Sequence, residues 1–129
     1  MDENTSLPTA GGRDLLDWIL RRRRRLRVSG PSMEPLLFEG DVVFVDTSAY
    51  LDAPPRDLDV VVAQHPSTPT IDIVKRVEFS TDEGVYLRSD NPDAEGVSDS
   101  RQFGVVPFDL VIGKVAAVSP AKTSTTLQR

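Results

Sequence analysis

The sequence predicts a mostly β domain built of short antiparallel strands, with one short helix in front of them. Three observations lead there. Apolar stretches of strand length recur after Gly40, each bounded by Gly, Pro, Asp or Ser. Several, such as the "VVFV" that begins at Val42 and the "VVV" that begins at Val60, are dominated by β-branched residues, which suit a pleated sheet. The one helix-like pattern lies before residue 27.

In chain order, residues 1–13 read as a polar arm containing Gly11-Gly12. Residues 14–26 read as the helix. Asp14 is placed to cap it, Leu15, Leu16, Ile19 and Leu20 lie near one face, and the run from Arg21 to Arg25 complements the negative end of the helix dipole. Together these residues 1–26 form an N-terminal segment in front of a domain at 27–119. Strands are expected at 42–45, 59–63, 71–79, 85–89 and 110–118. Pro54-Pro55, the "QHPSTPT" loop at 64–70, a hairpin turn ending at Gly84 and a long irregular loop at 90–104 separate them. Residues 120–129 read as a frayed tail.

Composition narrows the function. A chain of 129 residues with 39% hydrophobic and 27% charged residues suits one globular domain, not a disordered one. It has no cysteine, which excludes disulfides, thiolate metal sites and a cysteine nucleophile. The net charge is −5, while residues 1–27 hold seven arginines against four acids, so the body is strongly acidic. Such a body is a poor partner for nucleic acid, which needs cations on the binding face. The run from Arg21 to Arg25 is a solvated helix end or, at most, a peripheral membrane contact. The apolar "LLDWIL" before it is far shorter than the ~18 residues that span a bilayer, and a cytoplasmic location is expected.

The chemistry concentrates at "VSGPSMEPLLFEGD", residues 28–41. Pro31 and Pro35 flank Ser32 and are expected to keep this segment extended and non-helical. A serine held in a stiff bend is a structural turn or a displayed nucleophile, and a nucleophile needs a base. On the strand at 71–79, alternation places Ile71, Ile73, Lys75 and Val77 on one face and Asp72, Val74, Arg76 and Glu78 on the other. Lys75 is thus a cation on an apolar face, either reaching out to water or desolvated into a neutral base. The single histidine, His65, sits in a turn-rich loop with no neighbouring acid to orient it. A Ser-Lys dyad therefore has more local support than a Ser-His-Asp triad.

Three segments resemble the conserved boxes of type I signal peptidases and their relatives. They are "SGPSMEPLLFEGDVVFV", "DIVKRV" and "SDNPDAEGVSDSRQFGVVP", followed by the returning strand "LVIGKV". Within that clan the chain is most similar to the maturation proteases of nickel-type superoxide dismutase, which share "GPSM", a "VVA-x-HP" segment and "DNP". The resemblance implies the signal peptidase/LexA-like β-fold, with Ser32 as nucleophile and Lys75 as its base. It implies supporting roles for Gly30, Met33 and Pro35 in the serine bend and for Asp90, Asn91, Asp99, Ser100 and Arg101 in the third box, with an Asp99–Arg101 ion pair as a brace. The implied partner is a protein substrate, the dismutase precursor, which loses its N-terminal leader. The nickel belongs to that product, so no cofactor and no metal are expected here. Signal peptidase-like processing at a membrane surface is the alternative. A LexA-like self-cleaving domain lacks support, since no helix-turn-helix precedes Ser32, although the dipeptide Ala10-Gly11 does.

Three departures from the pattern stand out. Ser89 replaces the glycine that usually opens the third box, and Val97 replaces a serine that helps position the lysine. Lys75 is then expected to be held by Ser98 or Ser100. Leu58 stands where the clan has glycine.

Overall fold

A computed structural model of the chain describes Leu7 and residues 24–121. Residues 1–6 and 8–23, which hold most of the expected arm and helix, and the tail beyond residue 121 lie outside the described residues. The strands, numbered in chain order, are β1 (Arg24–Arg27), β2 (Val42–Asp46), β3 (Val60–Gln64), β4 (Asp72–Ser80), β5 (Gly84–Arg88), β6 (Val106–Pro107) and β7 (Val111–Ser119). A four-residue helix, α1 (Ser100–Phe103), and a 3-10 turn (Phe108–Leu110) are the helical elements among the described residues. All strand pairs are antiparallel, in one sheet of order β1-β2-β7-β3-β4-β5-β6. The mostly β architecture of short antiparallel strands expected from the sequence is present.

The central strand explains the shape. β3 is apolar at consecutive positions, and Val60 to Ala63 are all buried. Val60 and Val62 enter one core with Val28, Met33, Leu37, Val43, Val45 and Val115. Val61 and Ala63 enter a second core with Val77, Val85, Leu87 and Val106. A strand covered on both faces needs no polar alternation, which is why its sequence reads as a continuous run.

Register shifts at Phe44/Val45, Val62/Ala63 and Val77/Phe79 bend the sheet. Beyond the last shift the two aromatic rings of Phe79 and Tyr86 stack at 4.9 Å on an outer face.

Several expectations need correction. Arg24, Arg25 and Leu26 are strand, not the end of a helix: they pair with Val45, Phe44 and Val43 on the free edge of β2. The unpaired backbone groups of that edge outweigh the helical propensity of arginine, a matter of tenths of a kcal/mol per residue. The loop at 90–104 contains α1. The start of the tail is tied down, since Ala121 donates its N–H to the Asp41 carboxylate at 2.9 Å. Leu58 has a positive φ of 78°, the left-handed region in which glycine is favoured. That conformation turns its carbonyl to accept a hydrogen bond from Arg76 Nη1 at 2.9 Å.

Candidate active site

Ser32 lies in a loop whose neck is closed by two backbone bonds, Val28 N–H to Asp41 O (2.7 Å) and Gly40 N–H to Val28 O (2.8 Å). Inside it the chain is a compact turn and not the extended segment expected from the prolines. Glu34 N–H reaches Pro31 O at 3.2 Å, and Leu37 N–H reaches Met33 O at 2.9 Å. Met33 and Leu37 are fully buried and anchor the turn in the first core. Burial of these two side chains, worth about 1.5–3 kcal/mol each, overrides the extended bias of the prolines. Gly30 has φ +82°, open to glycine at little cost. Pro35 is exposed on the outside of the turn. The buried Asp41 carboxylate accepts from Phe38 N–H and Ala121 N–H, both at 2.9 Å, so it locks the loop exit to the end of β7.

Lys75 sits mid-strand on β4, only 5% exposed, with Ile73 and Val77 on the same face. It does not reach out to water. Burial lowers its pKa below the ordinary 10.5, and the Asp99 charge opposes that shift only in part. Ser32 and Lys75 line one hollow of about 320 Å³, whose walls include Leu26, Val28, Met33, Ile73, Val74 and Val97. A larger hollow of about 440 Å³, walled by Tyr50, Leu51, Pro54, Pro55 and Phe108, has no basic side chain in its lining.

Three consecutive residues at the end of β5 bind the site together. Ser89 Oγ accepts a hydrogen bond from Lys75 Nζ at 2.8 Å. Asp90 takes the guanidinium of Arg76 in a two-pronged ion pair, with both contacts at 2.8 Å. Asn91 holds the serine loop, its N–H on Ser32 O (2.9 Å) and its Nδ2 on Pro31 O (3.0 Å). The register explains the order. Arg76 is paired with Arg88 and Val77 with Leu87, so the next step along the ladder sets Ser89 opposite Lys75.

The third box closes the open edge of β5. Leu87 N–H donates to Ser100 Oγ and Ser89 N–H to Asp99 Oδ2, both at 2.8 Å, supplying acceptors that the two-residue β6 does not. Asp99 also caps α1, its carboxylate accepting from Arg101 N–H at 3.1 Å, while Gln102 Oε1 accepts from Asp99 N–H at 2.8 Å. Its carboxylate pairs with Arg101 Nε at 3.0 Å. Burial would raise the Asp99 pKa, but Arg101 and the N–H groups of Ser89 and Arg101 outweigh it and hold Asp99 below the usual carboxylate range.

Ser32, Met33, Lys75, Asp90, Asn91, Asp99, Ser100 and Arg101 thus each make a bond or a buried contact in this network, while Gly30 N–H reaches only Glu39 Oε1 at 3.4 Å and Pro35 is exposed. One expectation fails. Lys75 is bonded by neither Ser98 nor Ser100: Ser98 borders the hollow and Ser100 serves the backbone of β5. Arg76, on the opposite face, is 5% exposed and engaged with Asp90 and Leu58. Ser89 was missed as a partner of the lysine because cross-strand pairing is not visible in single-strand periodicity.

His65 stands apart. It ends the β3 region with its Nδ1 accepting Ser67 N–H at 3.0 Å and its ring 4.8 Å from that of Phe103, and it does not line the Ser32 hollow. Among the described residues, no group of three His, Cys, Asp or Glu side chains could hold a metal ion, and no helix is long and apolar enough to cross a membrane.

The chain is 30% identical over 107 residues to mitochondrial inner membrane protease subunit 1 of Homo sapiens and to that of Xenopus tropicalis, and 29% identical to the Mus musculus protein. Each match covers 67% of this chain and 63% of the relative, so the chain spans under two thirds of the length of these relatives. The Peptidase S24-like family model matches residues 21–103, from the arginines through α1 and across the whole Ser32–Lys75–Asp99 constellation. The chain therefore belongs to the Peptidase S24-like family.

Proposed function

We propose that this S24-like peptidase domain is a serine endopeptidase in which Ser32 is the nucleophile and Lys75 the general base, and that it removes the N-terminal leader of a nickel-type superoxide dismutase precursor. One observation carries the chemistry. A lysine that burial shifts toward its neutral form opens onto the same hollow as a serine in a braced turn. A neutral Lys75 takes the Ser32 Oγ proton as that oxygen attacks the scissile carbonyl. The resulting ammonium gives the proton to the leaving amine, and water then releases the acyl group with Lys75 again as base. The Ser32 N–H faces no acceptor among the described residues and is the backbone donor for the oxyanion. Pro31 has no N–H to add.

The choice of substrate rests on the sequence segments "GPSM", "VVA-x-HP" and "DNP". Processing of other precursors at a membrane surface is the second reading, favoured by the likeness to an inner membrane protease subunit. The test mixes pure protein with the dismutase precursor and sequences the new N-terminus. Release of one leader by the native chain, with no cleavage by Ser32→Ala, is the expected result. An intact precursor beside a cleaved secretory precursor would move the assignment to the second reading.

A further inference from the structure

We propose that Ser89 is the positioning residue for Lys75, and that its hydroxyl does the work of a serine displaced from position 97. The proposal rests on the Ser-Lys reading of the site. Lys75 Nζ donates to Ser89 Oγ at 2.8 Å, the one hydrogen bond of that ammonium among the described residues. Ser89 is 3% exposed, so no solvent competes for the contact.

The geometry gives the bond a purpose. A neutral amine has two N–H groups and one lone pair. Pinning one N–H on Ser89 removes the free rotation of the amine about its last carbon and restricts where the lone pair points. An orienting contact of this kind matters at a base, because misplacing a reacting group by about 1 Å costs up to about a hundredfold in rate. Ser89 is itself held on its backbone side, since its N–H donates to Asp99 Oδ2. Asp99 is fixed by the α1 cap and by Arg101. A chain of contacts therefore runs from Arg101 through Asp99 and Ser89 to Lys75. It also separates two effects: replacing the Ser89 side chain leaves the Ser89 N–H bond to Asp99 in place.

Position 97 completes the picture. Val97 lies on the wall of the same hollow as Lys75, an apolar side chain with no hydrogen bond to offer. The hydroxyl reaches the amine from the end of β5 instead of from the loop before α1.

The charges that face Lys75 set the pH behaviour. Asp99 acts on it from the cap of α1, with Arg101 behind, while Arg27 of β1 and Asp72 at the start of β4 lie on or beside the hollow. A hydrogen bond to a charged donor is stronger than one to the neutral amine. Loss of Ser89 Oγ therefore removes more from the ammonium than from the amine, and the Lys75 pKa falls further.

The experiment uses the full chain labelled with 13C at lysine Cε. The sequence has only Lys75, Lys114 and Lys122, so three signals are followed through a pH titration and Lys75→Met identifies one. In Ser89→Ala the Lys75 signal should titrate at lower pH while the other two stay put. The cleavage rate on the dismutase precursor should drop about tenfold or more even though more of the base is neutral, and the rising limb of its pH profile should move down. Adding Val97→Ser to Ser89→Ala should restore part of the rate. An unchanged Lys75 titration in a folded Ser89→Ala protein would overturn the proposal, and so would a rate within twofold of native. If the native chain cuts no dismutase precursor, the substrate assignment fails on that arm, while the titration still decides whether Ser89 holds the lysine.

Discussion

Lys75 and Arg76 are neighbours on one strand, face opposite sides of the sheet and are equally buried, each 5% exposed. Their surroundings differ completely. Arg76 meets a carboxylate in matched two-pronged geometry and a backbone carbonyl besides, so its charge is compensated where it stands. Lys75 meets one hydroxyl and aliphatic walls, with Asp99 as the opposite charge that acts on it, and burial wins. Equal burial thus yields a fixed structural cation on one face and a candidate proton acceptor on the other. What separates them is the partner each side chain finds across the sheet: Asp90 for one, Ser89 for the other.

The contrast is sharpest in activity. Lys75→Met should lower precursor cleavage by a thousandfold or more while the protein stays folded, as circular dichroism will report. Arg76→Met should do the reverse. It strands the Asp90 carboxylate and should cost about 3–5 kcal/mol of stability by urea unfolding, yet cleavage should persist at temperatures where the variant remains folded. Loss of chemistry in folded Arg76→Met, with full activity in Lys75→Met, would dissolve the distinction.

The next effect is pH. The ordinary lysine value is 10.5 and the folded value of Lys75 lies below it. Cleavage should climb as pH rises through the folded value. Stability follows the same window: below it both states hold the proton, and between the two values only the unfolded chain does, so stability rises with pH there. The Lys75→Met protein should lack this rise. At neutral pH it should be more stable than the native chain by on the order of 1 kcal/mol, since an apolar side chain carries no desolvation cost in that pocket.

The smallest effects mark sites outside the pair. His65→Ala should leave the chemistry in place, because the imidazole packs on Phe103 and not at the hollow. Leu58→Gly should raise stability by about 1 kcal/mol or less, as it relieves a left-handed leucine while keeping the carbonyl on Arg76. A thermal melt that shifts downward would show that Leu58 contributes more through packing than its backbone costs.

Much of this was legible in the chain itself. Strand periodicity set apart the face of Lys75, and the runs at Val42, Val60 and Val111 announced their strands because local alternation and β-branching are properties of single segments. The box around Ser32, the acids and arginine of the third box and the absence of cysteine were likewise open to reading. Only the folded sheet could decide the rest. The edge of β2 drew Arg24 and Arg25 into a strand, the depth of Met33 and Leu37 wound the serine segment into a turn, and the β4–β5 register put Ser89 beside Lys75 and Asp90 beside Arg76. These are pairings between residues distant in sequence, and their energies depend on which groups share a desolvated space, a quantity that no one-dimensional pattern contains.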